Sequence, residues 1–461
     1  MRDGFPNRRK RDRLAAWGQW LAFAACWLAA WCGWNPQGHF PSLWLAVLAL
    51  GSALILVRTT PRRIPVLNYH SISPRPGWLQ IDRWISITPR AFERQLAWLK
   101  ARGYESLLIS EVHDALAGRL ALDPRRNYVA LTFDDGYADN WMAAFPLLKK
   151  YGLKATFFVS TDFIMRDDRI RKTLDDVKDE ASLPWEGYLT WAEMKAMQAS
   201  GLAEFQSHGA THSRVFTDDA LRGFVGPGKP NLWLLWDTHS ETKSRWWVHL
   251  PADRSLWGHP VFPQQPSLAA RACVPDPQAV DHMLAWTRER GDAFFERTGW
   301  ETELREEWLR TASRPSRTAR RESPEAYRLR VRRELASARA TLERELSAPV
   351  RFLCWPENAF TETAESAAFD TGHVATVANS HGSLNRIGQD PRRIARLFVG
   401  SHLLGFNAPL VDHAGFIVGL KVFEGWYALY PLLAAASVVK RTVEHVRKRT
   451  SCRKDFLSTW G

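Results

Sequence analysis

The apolar run Tyr128-Val129-Ala130-Leu131-Thr132-Phe133 ends on two adjacent carboxylates and a glycine, Asp134-Asp135-Gly136. A short apolar run bounded by a glycine turn predicts a buried strand. Charge at the end of such a strand is costly unless something compensates it. Within a strand, neighbouring side chains point to opposite faces, but the last residues already belong to the turn. Both carboxylates then reach one cleft, where two like charges resist joint ionisation unless a cation or a proton lies between them. The pair asks for a metal.

Nitrogen donors follow downstream in Phe205-Gln206-Ser207-His208-Gly209-Ala210-Thr211-His212, again after a short strand-like run. The spacing of His208 and His212 lets both imidazoles face one point, in a helix or in a tight loop. One Asp and two His leave a fourth position open, which is the catalytic rather than the structural arrangement for zinc. The second Asp remains to take a proton from water, so the constellation is that of a hydrolase. The competing reading makes the acidic pair a helix N-cap with a solvated neighbour and the histidines two ordinary loop residues. Two such motifs in order at strand ends argue against it.

On these residues the chain resembles the polysaccharide deacetylase (NodB-homology, carbohydrate esterase) family. The motif T-F-D-D-G stands at Thr132 to Gly136 and S-H-x-x-x-H at Ser207 to His212. Further matches are Ile64-Pro65-Val66-Leu67-Asn68-Tyr69-His70-Ser71, Ala155-Thr156-Phe157-Phe158-Val159 and Leu189-Thr190-Trp191-Ala192-Glu193-Met194. The resemblance implies an α/β fold, a distorted (β/α) barrel of fewer than eight strands, with its site at the C-terminal ends of the strands. It implies a divalent metal, zinc (Zn2+) first, held by Asp135, His208 and His212, with Asp134 as the base on the attacking water. Backbone N–H groups near Asp135-Gly136-Tyr137 would share the developing oxyanion. The implied reaction is hydrolysis of the acetamido group of an N-acetylated sugar, in a polysaccharide or a lipid-linked glycan. Alternatives are deformylation or O-deacetylation on the same site, or a catalytically inactive glycan-binding membrane scaffold.

A general acid must protonate the leaving amine, and His402, His381 and His70, each after a strand-like run, are the candidates. Trp355-Pro356-Glu357-Asn358 stands where the family shows Y-P-x-G or R-x-P. Asn358 replaces the glycine and tolerates a left-handed backbone nearly as well. The arginine that tunes the catalytic Asp in some members is absent from this place.

From residue 64 short apolar runs alternate with longer amphipathic ones, which implies parallel strands with helices outside. The catalytic domain is expected over 64–215 and 325–412. Residues 216–324 interrupt it with an insertion holding Trp233, Trp236, Trp246, Trp247, Trp257, Trp286, Trp300 and Trp308. Those aromatics either cover the cleft and stack on sugar faces or form the core of an added subdomain.

Residues 1–63 predict a basic N-terminus and a transmembrane helical hairpin. Residues 14–34 are apolar and uncharged, about the length that crosses a bilayer, and 43–57 are apolar again. The first stretch lacks the small-residue cleavage site of a signal peptide. Lys and Arg flank the pair of spans, and the connecting loop has none, so both ends stay cytoplasmic. The expectation is a multi-pass protein of the cytoplasmic (inner) membrane with its catalytic domain on the cytoplasmic face; a single span would put that domain outside. Residues 413–461 read as an amphipathic membrane-associated helix and basic tail, in contact with anionic membrane lipid.

The formal net charge of +13 has a location. Residues 1–63 hold 9 Lys/Arg against 2 Asp, and 440–455 hold 7 against 2, so the middle of the chain is nearly neutral. No basic stripe crosses the catalytic domain, which excludes nucleic acid as a partner. The five cysteines are scattered, without a C-x-x-C, and make neither a disulfide framework nor a zinc ribbon.

Overall fold

The computed structural model describes residues 63–79, 85–228, 231–249, 253–312, 319–379 and 385–457, together with 18, 20, 21 and 24. The expected hairpin over 1–63 lies outside these, apart from five scattered positions. Among the described residues no helix is long and apolar enough to cross a membrane.

Nine strands form one sheet: β1 Val66–Tyr69, β2 Tyr104–Leu107, β3 Asn127–Phe133, β4 Ala155–Val159, β5 Ala203–Ser207, β6 Phe352–Cys354, β7 Ala375–Ala378, β8 Arg393–Ala395 and β9 Leu397–Phe398. Their order is β8-β7-β6-β5-β4-β3-β1-β9, with β2 added on β3, and every pairing is parallel. β8 and β9 are one run of chain broken at Arg396. Its first half pairs with β7 and its second half with β1, so it brings the two edges of the sheet together into a nearly closed barrel. Closure removes the unpaired edges that an open sheet presents.

Strand periodicity divides the apolar residues into two sets. Leu67, Tyr69, Leu131, Phe133, Phe157 and Val159 pack outward against helices α1 Pro89–Ala101, α2 Phe145–Tyr151 and α3 Trp191–Ala199. Val66, Ala130, Phe158, Cys354, Val377 and Ile394 come from all round the ring and share one cluster, so they point into it. Helix starts follow their sequence signals. Thr88 caps α1, with Pro89 in its first turn, and Thr190 and Glu193 form a reciprocal capping box on α3. After the insertion, α4 Pro324–Leu346 buries Tyr327, Val331, Leu335, Ala338, Leu342 and Leu346, a stripe of three- and four-residue steps.

The insertion's tryptophans divide between the barrel mouth and a core of the insertion's own. Trp236 and Trp246 are buried beside Trp78, Tyr137, Phe163 and Tyr188 at the barrel mouth, with Trp233 and Trp247 packed against them. Trp308, together with Phe262, Met283, Phe294 and Leu304, makes a separate core, against which Trp257, Trp286 and Trp300 pack.

The C-terminal boundary differs from the expectation. Helix α5 Pro409–Glu424 buries Phe416, Leu420, Val422 and Phe423, and Phe416 and Leu420 join the outer barrel cluster. Glu424 accepts a hydrogen bond from Tyr104 Oη at 2.6 Å and pairs with Lys421 at 2.9 Å. This helix therefore belongs to the barrel, and the charges that interrupt its apolar run form a half-buried polar knot on β2. A left-handed Gly425 ends it, and only α6 Tyr430–Leu457 continues beyond the barrel as a basic helix.

Candidate active site

Register places the site. Tyr69 pairs with Phe133, so the next residues, His70 and Asp134, emerge side by side at adjacent strand ends. Val159 pairs with Ser207, which sets His208 beside Ser160 on the same rim. Asp134 is anchored by its own N–H to the Tyr69 carbonyl at 3.0 Å. Asp135 and Gly136 then both adopt left-handed backbone, with φ of 72° and 78°. A side chain at Gly136 would meet Val159 Cγ1 at 3.0 Å, so the glycine is needed both for its conformation and for its close approach. This turn lets both carboxylates line one cavity.

That cavity holds about 520 Å³ and is bounded by His70, Tyr137, Trp233, Trp236, Trp355 and Phe398, besides the acidic pair and the two motif histidines. His208 Nε2 lies 3.3 Å and His212 Nε2 3.5 Å from the same oxygen, Asp135 Oδ1. The three donor atoms fall within 4.8 Å of one another. The set fits a divalent cation. Asp135 Oδ1 is buried with no well-aligned hydrogen-bond partner. His208 gives its Nδ1 proton to the Cys354 carbonyl at 2.9 Å, which turns the Nε2 lone pair toward Asp135. Burial would raise the Asp135 pKa, yet the His208 contact and the His212 and His70 imidazoles hold it far below the usual carboxylate range. A second trio, Asp134, His208 and Cys354, is equally close. It is a poor cation site, because an arginine already engages both oxygens of Asp134 and burial pushes the Cys354 thiol up.

That arginine is Arg396. Its Nη1 and Nη2 donate to Asp134 Oδ1 and Oδ2 at 2.6 and 2.7 Å, with both side chains almost wholly buried. Burial would push Asp134 up, but Arg396 and His208 more than reverse it and keep the carboxylate ionised. The run Cys354-Trp355-Pro356-Glu357-Asn358 holds no arginine; the structure supplies one from the strand that closes the ring. Arg396 is two residues beyond the inward-facing Ile394 and so shares its face. An arginine at an inward register position was the available signal.

Of the three histidines considered as acid, His70 lines the cavity, with Nε2 3.8 Å from Asp134 Oδ2. Burial lowers its pKa, while Asp134 and Asp135 pull it the other way. Asp139 and Asn140 secure the chain around it: Asp139 accepts hydrogen bonds from Ser71 Oγ and Ile72 N at 2.6 and 3.0 Å, and Asn140 donates to the His70 carbonyl at 2.8 Å. His402 does not line the cavity and pairs instead with Ser401 Oγ at 2.7 Å. His381 lies outside the described residues. Asn358 does take the left-handed turn, with φ of 58°, and its side-chain oxygen accepts the Asn379 N–H at 2.7 Å.

Residues 121–224 match the sequence profile of the family described as Polysaccharide deacetylase. YxkH of Bacillus subtilis (strain 168) is 38% identical over 99 residues, 22% of this chain and 32% of that protein. The poly-beta-1,6-N-acetyl-D-glucosamine N-deacetylase of Escherichia coli (strain K12) is 29% identical over 128 residues, 28% of this chain and 18% of that one. The chain thus spans a third or less of the length of these relatives. Among solved structures, the de-N-acetylase from Aggregatibacter actinomycetemcomitans aligns over 73% of this chain and 94% of its own, with 20% identity and a TM-score of 0.44. The acidic pair, both motif histidines and the loops that carry them all lie inside residues 121–224, the segment that is similar to the polysaccharide deacetylase family.

Proposed function

We propose that the protein is a metal-dependent carbohydrate N-deacetylase, anchored to the membrane through residues 1–63, that removes acetyl groups from an N-acetylated sugar. The observation that carries this reading is the convergence of Asp135 Oδ1, His208 Nε2 and His212 Nε2 beside a second, arginine-held carboxylate. Asp135, His208 and His212 would hold a divalent metal, zinc by its donor set, whose chemistry is to polarise a carbonyl and to acidify water. Asp134, kept ionised by Arg396, accepts the proton of the water that attacks the acetyl carbon. His70 hands a proton to the sugar nitrogen as the C–N bond breaks, leaving acetate and a free amine. Burial lowers the His70 pKa, and Asp134 Oδ2 at 3.8 Å is the near source of the proton that it passes on. Trp233 and Trp236 offer aromatic faces to a sugar ring and exclude water from the cavity.

The E. coli relative is named for poly-beta-1,6-N-acetyl-D-glucosamine, which supports an acetylated amino sugar as the substrate class. A cytoplasmic-face domain, as the charge placement suggests, would favour a lipid-linked sugar over exported polymer. Metal content of the purified chain, with acetate release measured on a panel of N-acetylated glycans beside formylated and O-acetylated ones, tests the reading. Stoichiometric zinc and acetate from N-acetyl groups, lost in Asp134→Asn, are expected. Absence of both metal and activity would instead leave a glycan-binding scaffold, and a C-terminal reporter active only outside the cytoplasm would redirect the substrate to exported polymer.

A further inference from the structure

The loop after β5 carries His212 with φ of 48°, a left-handed conformation taken without glycine. Something must hold it there. The barrel contributes Glu334 of α4, whose Oε1 accepts hydrogen bonds from Thr211 N at 3.2 Å and Thr211 Oγ1 at 2.8 Å. The insertion contributes Lys243. Its Nζ donates to the Thr211 carbonyl, directly before His212, and to Ser213 Oγ at 3.2 Å, directly after it. Ser213 passes its own hydroxyl proton toward Asp237 Oδ1 at 2.5 Å.

Lys243 is 2% exposed and sits against the rings of Phe163 and Trp236, 5.0 and 5.9 Å from their centroids. Its closest carboxylate, Asp237, is 4.0 Å away. An ammonium buried in an aromatic cluster without a tight ion pair is costly, and a leucine or methionine would fill that space more cheaply. What an apolar side chain lacks is the pair of donations that bracket His212. A second element of the insertion bears on the same residue: the Trp233 ring lies parallel to the His212 imidazole, 10° between planes and 5.9 Å between centroids.

We infer that Lys243 is a positioning residue for His212, and that through it the insertion sets the backbone turn which aims this imidazole at Asp135. The insertion is then part of the ligand-holding apparatus as well as a wall of the cavity. The effect on metal binding rests on the reading proposed above; the effect on the loop does not.

The test uses the full chain with Lys243→Met, Lys243→Arg and, as a control for general destabilisation, Met283→Ala in the insertion's separate core. Hydrogen exchange on the metal-free proteins reads the loop, and competition with a chelating dye reads Zn2+ affinity. In Lys243→Met, peptides covering 207–216 should exchange faster, and Zn2+ should bind about tenfold or more weakly, as for other groups that orient a ligand. Lys243→Arg should recover most of both, and Met283→Ala should move neither while lowering the melting temperature. Wild-type exchange and affinity in Lys243→Met would overturn the inference, as would equal changes in Met283→Ala. A wild-type chain that binds no Zn2+ would remove the metal reading, and the exchange comparison would still decide whether Lys243 holds the loop.

Discussion

Arg396 grips both oxygens of Asp134 from the run that closes the ring, 262 residues away in sequence and 2.6 to 2.7 Å away in space. A carboxylate held this way has its pKa pulled below the ordinary carboxylate value, and the fork geometry fixes where its proton-accepting lone pairs point. Arg396→Met leaves a buried carboxylate without its counter-charge, so the Asp134 pKa rises and the acid limb of kcat/KM moves to higher pH. At neutral pH a fall of about 10–100-fold is expected, with a loss of about 3–5 kcal/mol in stability for a broken buried pair. Arg396→Lys keeps the charge but loses the fork, and should retain the wild-type limb with reduced kcat. A limb that stays put in Arg396→Met would show that the arginine does not tune Asp134.

Substitution of His70 tests the proposed acid role apart from the proposed metal site. It lines the cavity beside Asp134 but lies outside the Asp135, His208 and His212 trio. His70→Gln should lower kcat by about 10²–10⁴-fold, the usual contribution of a placed proton donor, with Zn2+ content unchanged. His402→Gln should leave kcat near wild type, because His402 does not line the cavity. Steady-state kinetics with metal analysis on both variants decides; the reverse ranking would assign the acid to His402.

What the sequence disclosed and what it hid divide along a physical line. Asp134, Asp135, His208 and His212 were legible because each falls where a buried apolar run ends, and strand periodicity carries that run to the rim. The barrel was legible for the same reason. Arg396 was not, because its value depends on the run 393–398 switching partners from β7 to β1, an event of ring closure that local pattern does not encode. Helix α5 was misjudged because Lys421 and Glu424 interrupt an apolar stretch, which reads as an interfacial face until Tyr104 is brought against them. The tryptophans of the insertion resisted assignment because composition alone does not say which core an aromatic joins.

Asp139 gives a pH signature distinct from chemistry. Burial raises its pKa to about 6, with the hydrogen bonds from Ser71, Ile72 and Asn140 only partly opposing the shift. A carboxyl group whose folded pKa lies above its unfolded value of 3.8 binds more protons folded than unfolded between those two values. Its contribution to stability is therefore full below pH 4 and is lost as the pH rises to about 6, by about 3 kcal/mol. Asp139→Asn removes that dependence. The difference in unfolding free energy between the two proteins, from urea melts at pH 4, 5, 6 and 7, should climb by roughly that amount in favour of the variant. A flat difference would mean that Asp139 titrates normally.

The position of α5 makes a claim about where the catalytic domain ends. Leu420 is fully buried in the same cluster as Leu96, Leu99 and Val399, so the helix covers one side of the barrel rather than resting on lipid. Leu420→Ala should cost about 2–5 kcal/mol, the range for a core leucine that leaves a cavity. Val439, exposed on α6, is the contrasting position, and Val439→Ser should change stability by less than about 0.5 kcal/mol. If α5 were a peripheral membrane helix the two substitutions would behave alike in detergent-free urea melts. A separation of several kcal/mol between them places the end of the folded barrel at Glu424, and a truncation at residue 412 would then strip Tyr104 of its buried partner and expose the outer cluster.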